Sequence, residues 1–158
     1  GVDYADIAAQ VPAACRVFYT GPVDEFFDFS LGTLEWRGLR FEKNVEPYQD
    51  FLGTSVLNQA DLNVPYTRLH EFKHLHPERG PQGDKTVVVR EYPKTFCPGD
   101  EPYYPVNTPA NEDVLQAYRE KLRTEYPNVT LGGRLGVYRY MDMDKTIEDA
   151  LACFDGLS

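Results

Sequence analysis

The sequence predicts an α+β fold with a central antiparallel β-sheet. Four strand-like segments follow one another between residues 34 and 92, joined by polar connectors that contain Gly or Pro, and no long helical pattern interrupts them. Parallel neighbours would need long crossovers, which are usually helical, so this order favours antiparallel pairing. Apolar residues at helical spacing occur instead in residues 108–126 and beyond residue 142. Strands and long helices are therefore segregated along the chain.

The composition limits the classes of partner. The chain has 158 residues, enough for a core of its own, and no apolar run approaches the roughly 18 residues that a membrane helix needs. Its 25 acidic and 16 basic residues give a formal charge of -9, which argues against a general surface for nucleic acid or anionic membrane. We expect neither partner.

The cysteines predict free thiols. Cys15, Cys97 and Cys153 are an odd set without the spacing of a zinc site, and the start of the chain has no leader pattern. These features predict a reducing compartment and a cytoplasmic protein. The sequence begins with Gly1 and not with Met, which fits a fragment.

The N-terminal region predicts one short strand and one helical turn. Residues 15–20 have strand character and end at Gly21-Pro22, after which residues 23–29 could direct Phe26 and Phe27 inward. A glycine after a strand permits the close approach of a ligand. Taken alone, however, Thr20-Gly21-Pro22 is a common turn.

The predicted strands of the sheet cover residues 34–42, 54–59, 66–74 and 86–92. In the third strand a period of two places five side chains on one face: Tyr66, Arg68, His70, Phe72 and His74. Neither face is purely apolar, so the strand is either solvated or lines a polar cleft. We favour the cleft, because Asn58 on the neighbouring strand and Arg68 could together bind a sugar hydroxyl and a phosphate.

The even spacing of His70, His74 and His76 could place three imidazoles on one strand face. Pro77 ends the strand directly after the third histidine, and the sequence shows no carboxylate second shell that would orient the ligands. We therefore predict no metal site and interpret the three side chains as exposed or hydrogen-bonded histidines.

The following region predicts restrained tyrosines and a structural helix. Pro102 and Pro105 flank Tyr103 and Tyr104, whose rings could stack on a base or sugar or cover the core. Thr108-Pro109 predicts a helix start in the usual cap and first-turn positions, and Tyr126-Pro127 predicts its end. The apolar stripe of this helix consists of Val114, Leu115, Tyr118 and Leu122.

Residues 129–154 predict the order strand, glycine turn, loop and helix. Residues 129–131 are strand-like, and the helix has its apolar positions at Ile147, Ala150, Leu151 and Phe154. Arg134, Tyr138, Arg139 and Tyr140 precede a helix start near Asp142 to Asp144, where free N–H groups and the helix dipole suit an anionic or electron-rich ligand. Alternatively, Asp142 or Asp144 is simply an N-cap.

Four motifs together resemble the UDP-galactopyranose mutase family, in the same order along the chain. They are YTGPVDEFFD at residues 19–28, VPYTR with EFKH at 64–68 and 71–74, GDEPYYPVN at 99–107, and GGRLGVYRYMDMDKTI at 132–147. The resemblance implies an isomerase that interconverts UDP-galactopyranose and UDP-galactofuranose on reduced FAD, with flavin N5 attacking the anomeric carbon as UDP leaves.

The resemblance also implies a domain plan and roles for individual residues. Residues 1–33 would be part of an incomplete Rossmann-like FAD domain, 34–107 the substrate sheet, and 108–158 the return to the FAD domain. Arg68 would bind the UDP diphosphate, Asn58, Tyr104 and Tyr140 the nucleotide sugar, and Asp142 would have a supporting role; Tyr103 is the alternative to Tyr104. The residues implied to contact the flavin are Arg134, Met143, Asp144, Lys145, Thr146 and Ile147.

One departure from the family bears on the expected activity. The chain has no Gly-x-Gly-x-x-Gly turn for the FAD pyrophosphate, and the family's second diphosphate-binding arginine lies outside it. We therefore expect the C-terminal part of the enzyme, without turnover or strong flavin binding until joined to the N-terminal half. Members of this family form dimers, so the resemblance also allows a homodimer.

Three other functions remain open on the residues alone. A stand-alone sugar-nucleotide or carbohydrate-binding module would bind its ligand without flavin. Another FAD-dependent oxidoreductase would share the Gly-Gly-Arg stretch and helix, but would not be expected to carry VPYTR and EPYYP. A glycosidase would need a pair such as Asp142 and Asp144 or Asp100 and Glu101, but neighbouring carboxylates on one loop fit that chemistry poorly.

Overall fold

The computed structural model describes residues 2–80, 83–97 and 99–156, and divides the chain into two compact units. The first unit combines the segments Gly1–Trp36 and Tyr104–Ser158, and the second consists of Arg37–Tyr103. Helices and strands are mixed, and the second unit is built on an antiparallel sheet. The predicted α+β class is confirmed.

The sheet of the second unit contains β2 (Trp36–Glu46), β3 (Val56–Asn58), β4 (Arg68–His70) and β5 (Thr86–Thr95). Their spatial order is β3-β4-β5-β2, and each neighbouring pair is antiparallel. β2 and β5 form the longest paired stretch among these strands, from Arg37 opposite Thr95 to Glu46 opposite Thr86. Leu69, Val88 and Val89 are its buried apolar residues.

The bounds of all four predicted strands differ in the structure, most of all those of β2 and β4. β2 continues four residues past the predicted end at Glu42, because Lys43 to Glu46 pair with the valine run of β5. The strand predicted for residues 66–74 is wrong beyond His70. The chain leaves the sheet at Glu71 and forms 3-10 turns at Phe72–Leu75 and Pro77–Arg79. Of the five side chains predicted to share a face, only Arg68 and His70 therefore belong to the strand.

The first unit is organised around two parallel strands, β1 (Val17–Tyr19) and β7 (Val129–Leu131), which pair with Val17 opposite Val129. The short elements of this unit that the structure describes are α1 (Tyr4–Ile7), a 3-10 turn (Ala8–Gln10), α2 (Val23–Phe26), β6 (Tyr104–Pro105) and α4 (Gly133–Gly136). The strand predicted at residues 129–131 is confirmed with the same bounds, and the strand and helical turn predicted near the N-terminus are confirmed with shorter bounds.

Helix α3 (Pro109–Glu125) supplies much of the core of the first unit. The Thr108 side chain accepts a hydrogen bond from the Asn111 backbone at 3.2 Å, so the predicted cap is confirmed. Leu115, Tyr118 and Leu122 are buried, and the Tyr118 ring stacks on Phe27 with centroids 5.5 Å apart. As predicted, α3 is a structural helix.

Helix α5 (Met143–Asp155) begins where the sequence predicts it. Its predicted apolar stripe is exposed, however: 60% of Ile147, 61% of Leu151 and 67% of Phe154 is accessible. Across the described ranges, no helix combines the length and the apolar character that crossing a membrane requires.

Candidate functional site

A row of three polar residues crosses the sheet of the second unit. Asn58 on β3 lies opposite Arg68 on β4, and Arg68 lies opposite Glu91 on β5. Residues directly opposite each other in antiparallel strands have their side chains on the same face and within contact distance. The two predicted site residues of this unit, Asn58 and Arg68, are thus brought together by strand register.

The row holds the Arg68 guanidinium from both sides. Its Nε donates to Asn58 Oδ1 at 3.0 Å and its Nη1 donates to Glu91 Oε2 at 3.2 Å. Glu91 is nearly buried, whereas 38% of the Arg68 side chain remains accessible. A guanidinium in this position has a fixed plane and free donor positions, which suits a diphosphate or carboxylate ligand.

Glu91 is the member of this row that sequence reasoning missed. Its carboxylate also lies 3.2 Å from His70 Nε2 and 3.4 Å from Thr67 Oγ1, so three polar side chains converge on Glu91. A signal was present in the sequence, because Glu91 follows the run Val87-Val88-Val89 in a predicted strand. A carboxylate in such a strand is seldom buried without a cation as partner.

The first unit contains a second cluster, composed of Arg134, Tyr104 and Tyr140. The Arg134 guanidinium carbon lies 5.2 Å from the centroid of each tyrosine ring, and the two ring centroids are 5.6 Å apart. These distances are in the range of cation–π contacts. Arg134 also donates from Nε and Nη2 to the Met141 carbonyl oxygen, at 3.2 and 2.6 Å, which ties the cation to the loop before α5.

Tyr140 and Asp142 form the exposed end of this cluster. The Tyr140 hydroxyl donates to Asp142 Oδ1 at 3.2 Å, and 56% of Tyr140 is accessible. That hydrogen bond and the carboxylate charge raise the pKa of Tyr140, so its phenol remains a hydrogen-bond donor. Tyr103 lies in the other unit, where its ring is 6.0 Å from Phe41.

Tyr138 anchors the loop that carries Tyr140. Its backbone has a positive φ of 51°, which is uncommon for a residue with a side chain, and its own side chain is buried. The Tyr138 hydroxyl donates to the Glu35 carbonyl at 2.5 Å and accepts from the Val106 backbone N–H at 3.2 Å. Because Val106 is two residues from Tyr104, these bonds link the segments of both cluster tyrosines.

The glycine turn before this loop makes a close backbone approach to the end of β1. A Cβ on Gly136 would lie 2.9 Å from the Tyr19 carbonyl oxygen, and the Gly132 N–H donates to the same oxygen at 2.9 Å. The end of β1 and helix α4 are therefore in direct contact. Gly133 has a φ of 69°, a conformation that favours glycine.

The start of α5 has Asp142 at the N-cap position, but the Asp142 side chain makes no capping hydrogen bond. Thr146 donates from both its backbone N–H and its hydroxyl to the Asp142 carbonyl at 3.0 Å, and Lys145 pairs with Glu148. Met143 is 86% accessible. The first turn of α5 is therefore closed by Thr146, and the Met143 side chain is exposed beside it.

Each of the three histidines is hydrogen-bonded to a carboxylate, which confirms their interpretation as exposed or hydrogen-bonded side chains. His70 lies against Glu91, His74 lies 3.1 Å from Asp50 and 3.5 Å from Glu71, and His76 lies 3.0 Å from Glu78. Donor atoms of Asp50, Glu71 and His74 are within 4.8 Å of one another. The Lys73 ammonium lies 2.7 Å from Glu71 and supplies the positive charge at that position.

Comparison with known proteins identifies relatives over most of the chain. A family model described as UDP-galactopyranose mutase matches residues 1–140. A probable UDP-galactopyranose mutase of Klebsiella pneumoniae is 41% identical over 141 residues, which are 89% of this chain and 35% of that protein. The UDP-galactopyranose mutase of Mycoplasma pneumoniae is 36% identical over 148 residues, 91% of this chain and 36% of that protein.

A relative with another named substrate is equally similar. The dTDP-fucopyranose mutase of Escherichia coli is 37% identical over 138 residues, which are 87% of this chain and 36% of that protein. The chain thus spans about a third of the length of the curated relatives it matches.

Proposed function

The chain belongs to the UDP-galactopyranose mutase family, and we propose that it is the C-terminal part of a flavin-dependent isomerase that interconverts UDP-galactopyranose and UDP-galactofuranose. The observation that carries the proposal is the row of Asn58, Arg68 and Glu91. It fixes a partly accessible guanidinium, the group best suited to a nucleotide diphosphate. The activity is proposed for this chain joined to the rest of a protein as long as its relatives.

Arg68 would stabilise the departing nucleotide. When the bond between the anomeric carbon and UDP breaks, negative charge develops on the diphosphate, and hydrogen bonds from a positioned guanidinium favour that state. Asn58 and Glu91 occupy two directions of the Arg68 side chain and leave its accessible part for the diphosphate oxygens. Pre-positioning in this way avoids reorganising the cation during the reaction.

Tyr104 and Tyr140 would bind the nucleotide sugar through their hydroxyl groups. The contact of both rings with Arg134, together with the bonds of Tyr138, supports a fixed placement of the pair. Asp142 would hold the Tyr140 hydroxyl in orientation. The position of Tyr104 beside Tyr140 supports Tyr104, and not Tyr103, as the substrate contact.

The residues of the first unit fit a flavin in part. Parallel pairing of β1 and β7 is typical of a Rossmann-like sheet, and we propose that this unit is part of an FAD-binding domain. Arg134 and the first turn of α5, Met143 to Ile147, would hold the flavin. Lys145 would act through its backbone because its side chain is paired with Glu148, and Thr146 would fix the first turn through its two hydrogen bonds to the Asp142 carbonyl. Reduced flavin, when bound, supplies the nucleophile that replaces UDP at the anomeric carbon.

The dTDP-fucopyranose relative supports a second candidate substrate. UDP-galactopyranose and dTDP-fucopyranose both join a pyranose to a pyrimidine nucleotide through a diphosphate, and Arg68 would bind only the shared diphosphate. The row by itself therefore does not discriminate between them. We favour UDP-galactopyranose because the matching family model and two of the three relatives above carry that description.

A comparison of the two nucleotide sugars as substrates tests this assignment. The chain, extended through its natural coding sequence to the length of its relatives and reduced with dithionite, is incubated with each nucleotide sugar separately, and the products are separated chromatographically. We expect the furanose form of UDP-galactose, with Arg68→Ala abolishing most of the conversion. Faster conversion of dTDP-fucopyranose would make dTDP-fucopyranose the assigned substrate. If neither nucleotide sugar is converted, the proposed isomerase activity is overturned.

The cysteines support a reducing location for this enzyme. Cys15, Cys97 and Cys153 are all free thiols, two of them exposed. Exposed free thiols are more typical of intracellular than of secreted proteins. We propose a cytoplasmic location, where a reduced cofactor would also be maintained.

A further inference from the structure

A second cleft opens in the sheet unit, apart from the Arg68 row. It has a volume of about 680 Å³, within the usual range for a small-molecule site. Neither Asn58, Arg68 nor Glu91 lines it. Its walls come from the end of β2, the 49–50 connector, the 3-10 turns after β4, and the start of β5.

The lining of this cleft is basic in a chain that is strongly acidic overall. Its ionisable lining groups, among the residues the structure describes, are Lys73, His74, His76, Arg79, Lys85 and one carboxylate, Asp50. Asp50 is already engaged, because its Oδ1 accepts from the Gly53 N–H at 2.8 Å and lies 3.1 Å from His74. A cleft with an excess of positive charge concentrates anionic ligands.

Two of these cations are available for a ligand. The Lys73 ammonium is paired with the buried Glu71 carboxylate at 2.7 Å, so that pair is close to neutral. Arg79 and Lys85, in contrast, are exposed, and their side chains have no ion-pair partner in the described portion of the chain. With Lys73 paired to Glu71, Arg79 and Lys85 outnumber the single lining carboxylate of Asp50 and leave the described cleft lining with a net positive charge.

The cleft also has an apolar wall. Val45, Phe72 and Val87 line it, and 68%, 48% and 49% of these residues is accessible. The Phe72 ring stacks on His70 with centroids 5.2 Å apart and planes 17° from parallel, which fixes the orientation of the aromatic surface. A fixed, half-exposed aromatic ring beside cations is the arrangement on which a nucleobase stacks while its phosphate is paired.

We propose that this cleft binds a nucleoside phosphate, with Arg79 and Lys85 pairing the phosphate and Phe72 contacting the base. The proposal is independent of the mutase assignment, since it uses none of the residues to which that reaction was given. An adenine nucleotide is the appropriate probe, because it differs from the pyrimidine nucleotides proposed for the Arg68 row.

Nuclear magnetic resonance of the full 158-residue chain tests the site. ADP, inorganic pyrophosphate and adenosine are titrated separately while the ring resonances of His74 and His76 are followed. We expect ADP to shift both resonances saturably, pyrophosphate to do so with at least threefold weaker affinity, and adenosine to be weaker still. If ADP leaves both resonances unshifted, the site does not exist.

Matched variants assign the contacts. Arg79→Gln and Lys85→Gln should each weaken ADP binding about threefold to tenfold, whereas Lys43→Gln, an exposed cation on β2 outside the cleft, should change it less than twofold. Phe72→Ala should weaken ADP binding but not pyrophosphate binding. If Lys43→Gln weakens ADP binding as much as Arg79→Gln does, ADP is attracted non-specifically by positive charge. If Arg68→Ala abolishes ADP binding, the nucleotide binds at the Arg68 row. Either result overturns the proposal.

Discussion

Arg68 Nη1 and Glu91 Oε2 lie 3.2 Å apart at directly opposite positions of β4 and β5. The carboxylate is almost fully buried and the guanidinium is partly accessible, so Glu91 fixes one side of Arg68 while the other side faces outward. A lysine at position 68 would keep the charge but could not reproduce the two separate bonds to Asn58 and Glu91.

We predict that Arg68→Lys lowers mutase turnover by at least about 100-fold, with a larger effect on kcat than on KM. The reason is that the positioned guanidinium acts mainly on the charge of the departing diphosphate. The measurement is steady-state kinetics of the chain extended to the length of its relatives. Arg123→Lys, an exposed arginine of α3, is the control and should leave both constants unchanged; an unaffected kcat in Arg68→Lys would remove its proposed role.

The free energy of unfolding of the sheet unit should decrease at acid pH because of Glu71. Burial opposes ionisation of this carboxyl, but hydrogen bonds from Lys73, Thr86 and the Leu52 and Phe51 amides outweigh burial and lower its pKa from 4.5 to about 2. Because the folded-state pKa is depressed, this stabilisation is complete above pH 4.5 and is lost as the pH falls toward 2. Its magnitude is about 3 kcal/mol.

The corresponding measurement is urea unfolding at pH 7 and pH 3. Glu71→Gln should be less stable than the parent chain at pH 7, and the difference should shrink at pH 3. Glu78→Gln, whose side chain is 66% accessible, should match the parent at pH 7. A difference for Glu71→Gln that is as large at pH 3 as at pH 7 would show that the stabilisation is not electrostatic.

The Tyr118 hydroxyl should contribute to the stability of the first unit. It donates to the Gly32 carbonyl at 2.6 Å and accepts from the Leu31 N–H at 3.0 Å, within the core. Tyr118→Phe leaves both backbone groups without this partner and should cost about 1–3 kcal/mol of unfolding free energy. Tyr126→Phe, at a ring 39% accessible, should change it by less than about 0.5 kcal/mol; equal effects would contradict the hydrogen-bond account.

Two glycines of the same turn should respond differently to a methyl group. A Cβ on Gly136 would lie 2.9 Å from the backbone oxygen of Tyr19, which cannot move without disturbing β1, whereas a Cβ on Gly132 meets only the Thr20 methyl at 3.8 Å. Gly136→Ala should therefore lower the thermal midpoint by several degrees, corresponding to about 1–3 kcal/mol, and Gly132→Ala should lower it little. Similar midpoints for the two variants would argue against the close contact between β1 and α4.

The sequence predicted those elements whose signals are local. The start of α3 follows from Thr108-Pro109, and its buried face follows from the spacing of Leu115, Tyr118 and Leu122. The antiparallel sheet followed from the lack of helical crossovers, and the neighbourhood of Asn58 and Arg68 from the succession of their strands.

The parts that were not predicted depend on contacts between distant segments. The third strand ends at His70, because the buried carboxylate of the next residue, Glu71, accepts hydrogen bonds from the Phe51 and Leu52 amides, about 20 positions earlier in the chain. Period-two alternation carries no information about such a partner. The partnership of Glu91 with Arg68 likewise depends on register between strands, and the parallel pairing of β1 with β7 joins segments from the two ends of the chain.

The most direct test of the central claim compares this chain with the same chain extended through its natural coding sequence to the length of its relatives. The absorbance spectrum of each protein is recorded, and each is reduced and assayed for conversion of UDP-galactopyranose. The account predicts flavin absorbance and interconversion of the two sugar forms in the extended protein. Tight binding of UDP-galactopyranose by the short chain without flavin, together with no mutase activity in the extended protein, would contradict it and indicate a sugar-nucleotide-binding module.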